Sequence, residues 1–181
     1  MQSYESFASG LTEAAKKSLS RLHGHIDKGK SVGFISAHRG SNSPAENNKN
    51  ASRLKNDLKR HGHSYVPVKG EYVEDHNGKN IRVKEKTFMV VHSDHKKLKK
   101  DLVKLGTKHR QDSVLTVSKK YGSNFHGTGK SDWVKKGETK RTGGSGITDV
   151  KPRKAKRDFG TQIGGKSFIL GKQIKFGKKN R

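Results

Sequence analysis

Apolar positions in the middle of the chain follow two periods, and their alternation predicts the architecture. Val32, Phe34 and Ile35, with the small Ser36 and Ala37 after them, suit a short buried strand. Ser43 then stands as a helix cap, with Pro44 behind it and Glu46 three residues on. This is a capping box with proline at the one helical position where its missing N–H costs nothing. Ala51, Leu54 and Leu58 form one stripe, and Gly62 is the natural stop. Between strand and helix lies a polar turn, His38, Arg39, Gly40, Ser41 and Asn42, placed where strand ends of α/β folds present ligand groups.

Ser64 to Val68 predicts the next strand, with Pro67 pointing to an edge or a bulge, and Glu71, Tyr72 and Val73 continue it. Asn77-Gly78 is a hairpin dipeptide, Ile81 and Val83 begin the returning arm, and Thr87 to His92 is the most strand-like run in the chain. Ser93 or Asp94 caps a second helix whose stripe is Leu98, Leu102 and Leu105, ending at Gly106. Ser113 to Ser118 supplies a further strand. The expected fold class is α/β: a small mixed sheet with two helices on one face. A short N-terminal leader and a Gly/Lys-rich basic C-terminal arm flank it.

Charge changes this picture. The 181 residues carry 41 Lys and Arg against 16 acids, a net +25, which favours an anionic polymer as partner, nucleic acid before membrane. No apolar run approaches the roughly 20 residues that span a bilayer, so no membrane partner is expected. There is no cysteine, hence no disulfide framework and no thiolate metal site. The sequence divides into residues 1–13, a detachable leader; 14–30, a basic linker; 31–118, the α/β domain; and 119–181, a basic arm. In that arm 18 Lys and Arg face four acids, so it is expected to be partly flexible, ordered in part by a late strand at Ser167 to Leu170. The candidate nucleic-acid contacts are Lys119, Lys120, Lys130, Lys135, Lys136, Lys140, Arg141, Lys151, Arg153, Lys154, Lys156, Arg157, Lys178, Lys179 and Arg181. Tyr121, Phe125 and Trp133 lie among them, as base-stacking rings or as packing anchors.

Two resemblances bear on function. Tyr4, Phe7, Ala8 and Leu11 give the leader an amphipathic pattern, and it resembles the capsid-targeting sequences of internal head proteins of T-even-like tailed phages. Leu11-Thr12-Glu13 followed by Ala14 matches the pattern after which the prohead protease of those phages cuts. The resemblance implies a virion protein of the capsid interior, with the prohead scaffold or core and its protease as partners and the host cytoplasm as its destination after infection. The central region resembles an uncharacterised family of small phage proteins through Ile35-Ser36-Ala37 with Arg39, Glu46-Asn47, Leu54 to Gly62, the strand carrying Glu71, and Gln111-Asp112-Ser113. It implies a fold and a phage origin but no reaction.

The expectation drawn from these observations is an internal head protein that binds packaged DNA through phosphates, with affinity set by counterion release. The alternatives are an enzyme acting on nucleic acid or a nucleotide, with His38, Arg39 and Glu71 as its polar cluster, and an RNA- or ribosome-binding protein. No paired-carboxylate or His/Cys metal signature favours the enzyme. No cofactor and no metal is expected; His23 and His25 read as solvated residues before a turn. Arg39, Asn42, Glu46, Asn47, Gln111 and Asp112 read as loop and cap residues. Gly127 to Ser131 imitates the end of a phosphate-binding loop, but Asn124 stands where its first glycine belongs.

Overall fold

A computed structural model describes residues 22, 24–76, 79–130, 134–143, 147–149, 160–163 and 166–170. Its centre is the expected one. Strand β1 (Ser31–Ser36) leads into helix α1 (Pro44–Arg60), the long strands β2 (Tyr65–His76) and β3 (Lys79–His92), helix α2 (His95–Lys108) and strand β4 (Ser113–Ser118). Further strands follow: β5 (Gly122–Gly127), β6 (Thr139–Gly143), β7 (Ile147–Asp149), β8 (Gly160–Ile163) and β9 (Lys166–Leu170). They form one sheet in the order β6-β5-β4-β1-β3-β2-β8-β9-β7. The α/β class and its two helices thus stand, and each paired neighbour runs antiparallel.

Each helix connects two strands with a third between them. β3 lies between β1 and β2, and β1 lies between β3 and β4, so two split β-α-β units interlock around β1. The alternation in β1 explains why both of its faces are apolar. Ile35 joins Ala51, Leu54 and Leu58 of α1, Leu98, Leu102 and Leu105 of α2, and Phe88, Val90 and Val114 of the sheet. Val32 and Phe34 point the other way, into a cluster with Met89, Leu115, Val117 and Val68. Burial of each α2 leucine stabilises the fold by about 1.5–3 kcal/mol. Gly33 lets α2 come that close: a Cβ there would stand 2.1 Å from Leu102 Cδ1.

The caps follow the sequence. Ser43 Oγ accepts the Glu46 N–H at 3.2 Å, and the Glu46 carboxylate accepts the Ser43 N–H at 2.8 Å. Asp94, rather than Ser93, caps α2, accepting the N–H groups of Lys96 and Lys97. Gly62 takes φ +74° after α1, as a C-terminal glycine should. Among the described residues Pro67 lies where β2 has β3 alone beside it, since β8 pairs with Lys69 to Glu71.

Several expectations change. Gly106 does not end α2; the helix runs on to Lys108, and a Cβ at Gly106 would stand 2.8 Å from Val114 Cγ1, so glycine there serves close packing on β4. Arg110, at φ +55°, makes the left-handed turn instead. Leu22 and Ile26, assigned by composition to a linker, are buried in the second core, on the face opposite α1 and α2. The sheet continues past Ser118 into residues that composition gave to the basic arm, and the late strand at Ser167 to Leu170 is part of β9. Residues 77 and 78, Trp133, the cluster at 151–157, the last residues including Lys178, Lys179 and Arg181, and the whole leader with Leu11, Thr12, Glu13 and Ala14 lie outside the described residues.

Candidate functional site

The carboxyl end of β1 is where separate loops converge. Ser36 pairs with Thr87 and starts the exit: its Oγ donates to the Lys86 carbonyl at 3.1 Å and accepts the His38 N–H at 3.0 Å. The turn that follows closes on Asn47, buried in the first turns of α1. Asn47 Oδ1 accepts the Arg39 N–H at 2.9 Å, and its Nδ2 donates to the carbonyls of Arg39 at 3.0 Å and Asn42 at 3.4 Å. One amide therefore fixes the turn. The residues after α2 complete the wall. Gln111 Nε2 donates to the His38 carbonyl at 3.3 Å, and the Arg39 guanidinium donates to the Arg110 carbonyl. The Gln111 carbonyl in turn accepts the Thr128 hydroxyl at 2.6 Å, and Asp112 accepts the N–H groups of Thr128 and Gly129 with its backbone oxygen. Arg39, Asn42, Glu46, Asn47 and Gln111 are thus the loop and cap residues their types suggest, and Asp112 joins the loops through its backbone.

His38 is half-buried, and its imidazole is held below the usual histidine value, first by burial and then by the Lys86 ammonium. It is neutral at pH 7. Glu71 lies in β2 opposite Lys84 of β3 and Gly160 of β8. The row Ser36, Thr87, Val68 marks the end of β1, and Glu71 is three residues beyond it, about 10 Å along the strand. The arm made by β2 and β3 therefore rises past the loop that holds His38 and Arg39. His92 is not with them: it pairs with Ser31 at the opposite end of β1.

The outgoing strand of this arm carries a short acidic stretch, and its returning strand carries Lys79, Arg82, Lys84 and Lys86. Residues 70–78 hold Glu71, Glu74 and Asp75 and no lysine or arginine, in a chain where bases outnumber acids 41 to 16. That local reversal is visible in the sequence and is a signal that total charge hides. Among the described residues no cluster of histidine and carboxylate side chains could hold a metal ion.

The expected nucleic-acid contacts that fall among the described residues lie at several places. Lys119 and Lys120 are exposed in the turn between β4 and β5, while Lys130 and Lys135 form an isolated bridge beyond β5. Lys136, Lys140 and Arg141 are exposed toward the β6 edge; Lys151, Arg153, Lys154, Lys156 and Arg157 are outside the described residues. Tyr121 stacks on His95 and Phe125 packs against the second core. Gly127 ends β5 as a packing glycine, since a Cβ there would stand 1.9 Å from the Lys135 carbonyl oxygen.

The chain belongs to the S-adenosylmethionine lyase family, whose model matches residues 33–170. Among solved structures it is similar to a phage SAM lyase in complex with S-methyl-5'-thioadenosine, at 17% identity and a TM-score of 0.32, covering 55% of this chain and 81% of that one. No curated protein matches the chain.

The family match overturns the expectation of an internal head protein whose task is to bind packaged DNA through its phosphates. Its physical basis was the total charge, which reports how a surface is solvated and not what a site converts. The enzyme alternative is the reading that the match supports.

Proposed function

We propose that this chain cleaves S-adenosylmethionine, holding it at the end of β1 between the loop 37–42 and the root of the β2–β3 arm. The observation that carries the proposal is the family match across residues 33–170. Charge supports the placement. The substrate bears a sulfonium and an ammonium against one carboxylate, and Glu71, Glu74 and Asp75 place three acids on β2 in a stretch, 70–78, without lysine or arginine. The β2 carboxylates attract such a cation, while the paired strand β3 carries Lys79, Arg82, Lys84 and Lys86 opposite them.

Cleavage breaks the bond between the sulfonium sulfur and Cγ of the amino acid. The bonding electrons return to sulfur, leaving S-methyl-5'-thioadenosine as a neutral thioether. The substrate's own carboxylate is placed to form the new C–O bond at Cγ, closing a five-membered lactone and balancing the charge. No proton moves in that step, so the protein's task is to fold the substrate and exclude water. Two opposite charges vanish as the bond forms, and removing their hydration favours the transition state. Holding the two ends together supplies the remaining advantage of an intramolecular reaction. A neutral His38 suits such a site, because it adds no positive charge beside the sulfonium.

The test is direct: incubate purified protein with S-adenosylmethionine and follow the products by chromatography and mass spectrometry. The thioether and a lactone should appear in equal amounts, and Glu71→Gln should lower kcat/KM at least about tenfold, the equivalent of about 1.4 kcal/mol. Absence of both products at micromolar enzyme overturns the proposal. Full activity in Glu71→Gln removes that residue from it.

A further inference from the structure

At the opposite end of β1 a concavity lies between the first turns of α2 and the β4–β5 turn. It has a volume of about 430 Å³ and is lined by His95, Lys96, Lys99, Lys100, Val103 and Tyr121. β1 is six residues long, so this groove and the loop at 37–42 are about 20 Å apart. They are separate places on one molecule.

The groove has a flat wall and a charged rim. The rings of His95 and Tyr121 stack at 4.3 Å with an interplanar angle of 21°. Ser31 Oγ lies 3.1 Å from His95 Nδ1 and fixes that imidazole, so the stack is held from the central strand. Tyr121 remains 39% exposed and has ring area to offer. Lys99 and Lys100 stand one helical turn after Lys96 on α2, and Lys120 places its ammonium 5.4 Å from the centre of the Tyr121 ring. Among the described residues none of these four lysines makes an ion pair. Asp94, at the start of α2, spends one carboxylate oxygen on the N–H groups of Lys96 and Lys97. The positive field is felt inside the protein too: buried His126 is pushed down to about 4, first by burial and then by Lys99 and His95.

A groove of this size with an exposed stacked ring and four ammonium groups in need of counter-charge matches a ligand that joins a flat ring to phosphates. We infer that the groove between α2 and Tyr121 binds a nucleoside polyphosphate, with its base against Tyr121 and its phosphates on Lys96, Lys99, Lys100 and Lys120. A cationic sulfonium substrate is repelled from this place, so the inference stands whether or not the cleavage proposal does.

Calorimetric titration of the full chain tests it, with ATP, tripolyphosphate, adenosine and a single-stranded 16-nucleotide oligomer as probes. ATP should bind more tightly than tripolyphosphate, adenosine should not bind measurably, and the affinity for ATP should fall with salt. Lys99→Glu with Lys100→Glu should weaken ATP at least tenfold, while the charge-matched pair Lys49→Glu and Arg53→Glu on α1 should change it less than twofold. Tyr121→Ala should erase the preference for ATP over tripolyphosphate. Equal losses from both charge-reversed pairs would reduce the effect to total charge and overturn the inference. So would tripolyphosphate binding as tightly as ATP. Tighter binding of the oligomer than of ATP, lost in the Lys99 and Lys100 variant, would overturn it in favour of nucleic acid.

Discussion

Asp57 ties the end of α1 to the end of α2, and its replacement tests whether that tie holds the candidate site. The carboxylate is only 8% exposed; it takes Lys108 Nζ at 2.7 Å on one oxygen and His109 Nε2 at 2.8 Å on the other. Arg60 stands further off, at 3.8 Å. Burial pushes this carboxyl up, but the hydrogen bonds from Lys108 and His109 and their charges outweigh it, so it is held below the ordinary aspartate value. Asp57→Asn keeps the shape and removes the charge. A hydrogen bond to a charged group contributes about 1.5–3 kcal/mol. The Lys108 bond counts for less, since that side chain is 58% exposed and rehydrates when released. His109, 8% exposed, has no such escape. The expected loss is therefore about 2–3 kcal/mol, or about 4–12 °C in Tm for a chain of this size. A carboxyl whose folded pKa is depressed contributes stability above its unfolded pKa and loses it as pH falls through the folded one. The gap between the two proteins should be full at about pH 7 and narrower at about pH 3, below the ordinary aspartate value of about 3.9. Urea denaturation at both values measures it. A gap under about 0.5 kcal/mol at neutral pH, or one that does not change with pH, would refute the reasoning. His109 leads directly into Arg110, whose carbonyl takes the Arg39 guanidinium, so the same variant should also raise KM for S-adenosylmethionine.

Gly33→Ala should lose about 1–3 kcal/mol in urea denaturation, because the added methyl must displace Leu102, which is fully buried. Arg110→Gly should gain about 1 kcal/mol, measured the same way, since glycine adopts φ +55° without a Cβ penalty and the carbonyl that receives Arg39 remains. His126, between the hydroxyls of Thr116 at 2.8 Å and Thr139 at 3.0 Å, should show an NMR titration midpoint near 4. Its folded pKa is depressed, so the unfolded chain takes the proton first and stability falls as pH drops from about 6.5 towards that midpoint. A midpoint near 6.5 would show the ring to be solvated.

The helices and central strands were legible because each carried local signals that agreed. Ser43, Pro44 and Glu46 announce one helix start by hydrogen-bond chemistry alone, and Leu98, Leu102 and Leu105 keep one face of α2. Residues whose role depends on distant partners were less so. Gly106 looks like a helix stop in sequence, and only the approach of Val114 and Thr128 shows it to be a contact. Leu22 and Ile26, four apart, carried a helical signal that surrounding lysines obscured. At the candidate site, sequence singled out His38, Arg39 and Glu71 and named the hydrogen-bonding residues around them. It did not say that loops at 37–42, 110–112 and 127–129 meet, since that follows from the order of strands. Function was not legible there, because total charge describes the surface and does not name the reaction to which the family match points.

The interlocked connections also fix the order in which the molecule can be completed during synthesis. β1 emerges first among the strands, yet its two neighbours are β3 and β4, so one edge waits for residue 92 and the other for residue 118. Until then an apolar strand has open edges, the kind of template on which other chains pair. Contacts this distant in sequence also slow folding. A chain interrupted anywhere before Ser118 would therefore leave its own centre unsheltered, and shortened versions of this protein should aggregate rather than fold into smaller copies of it.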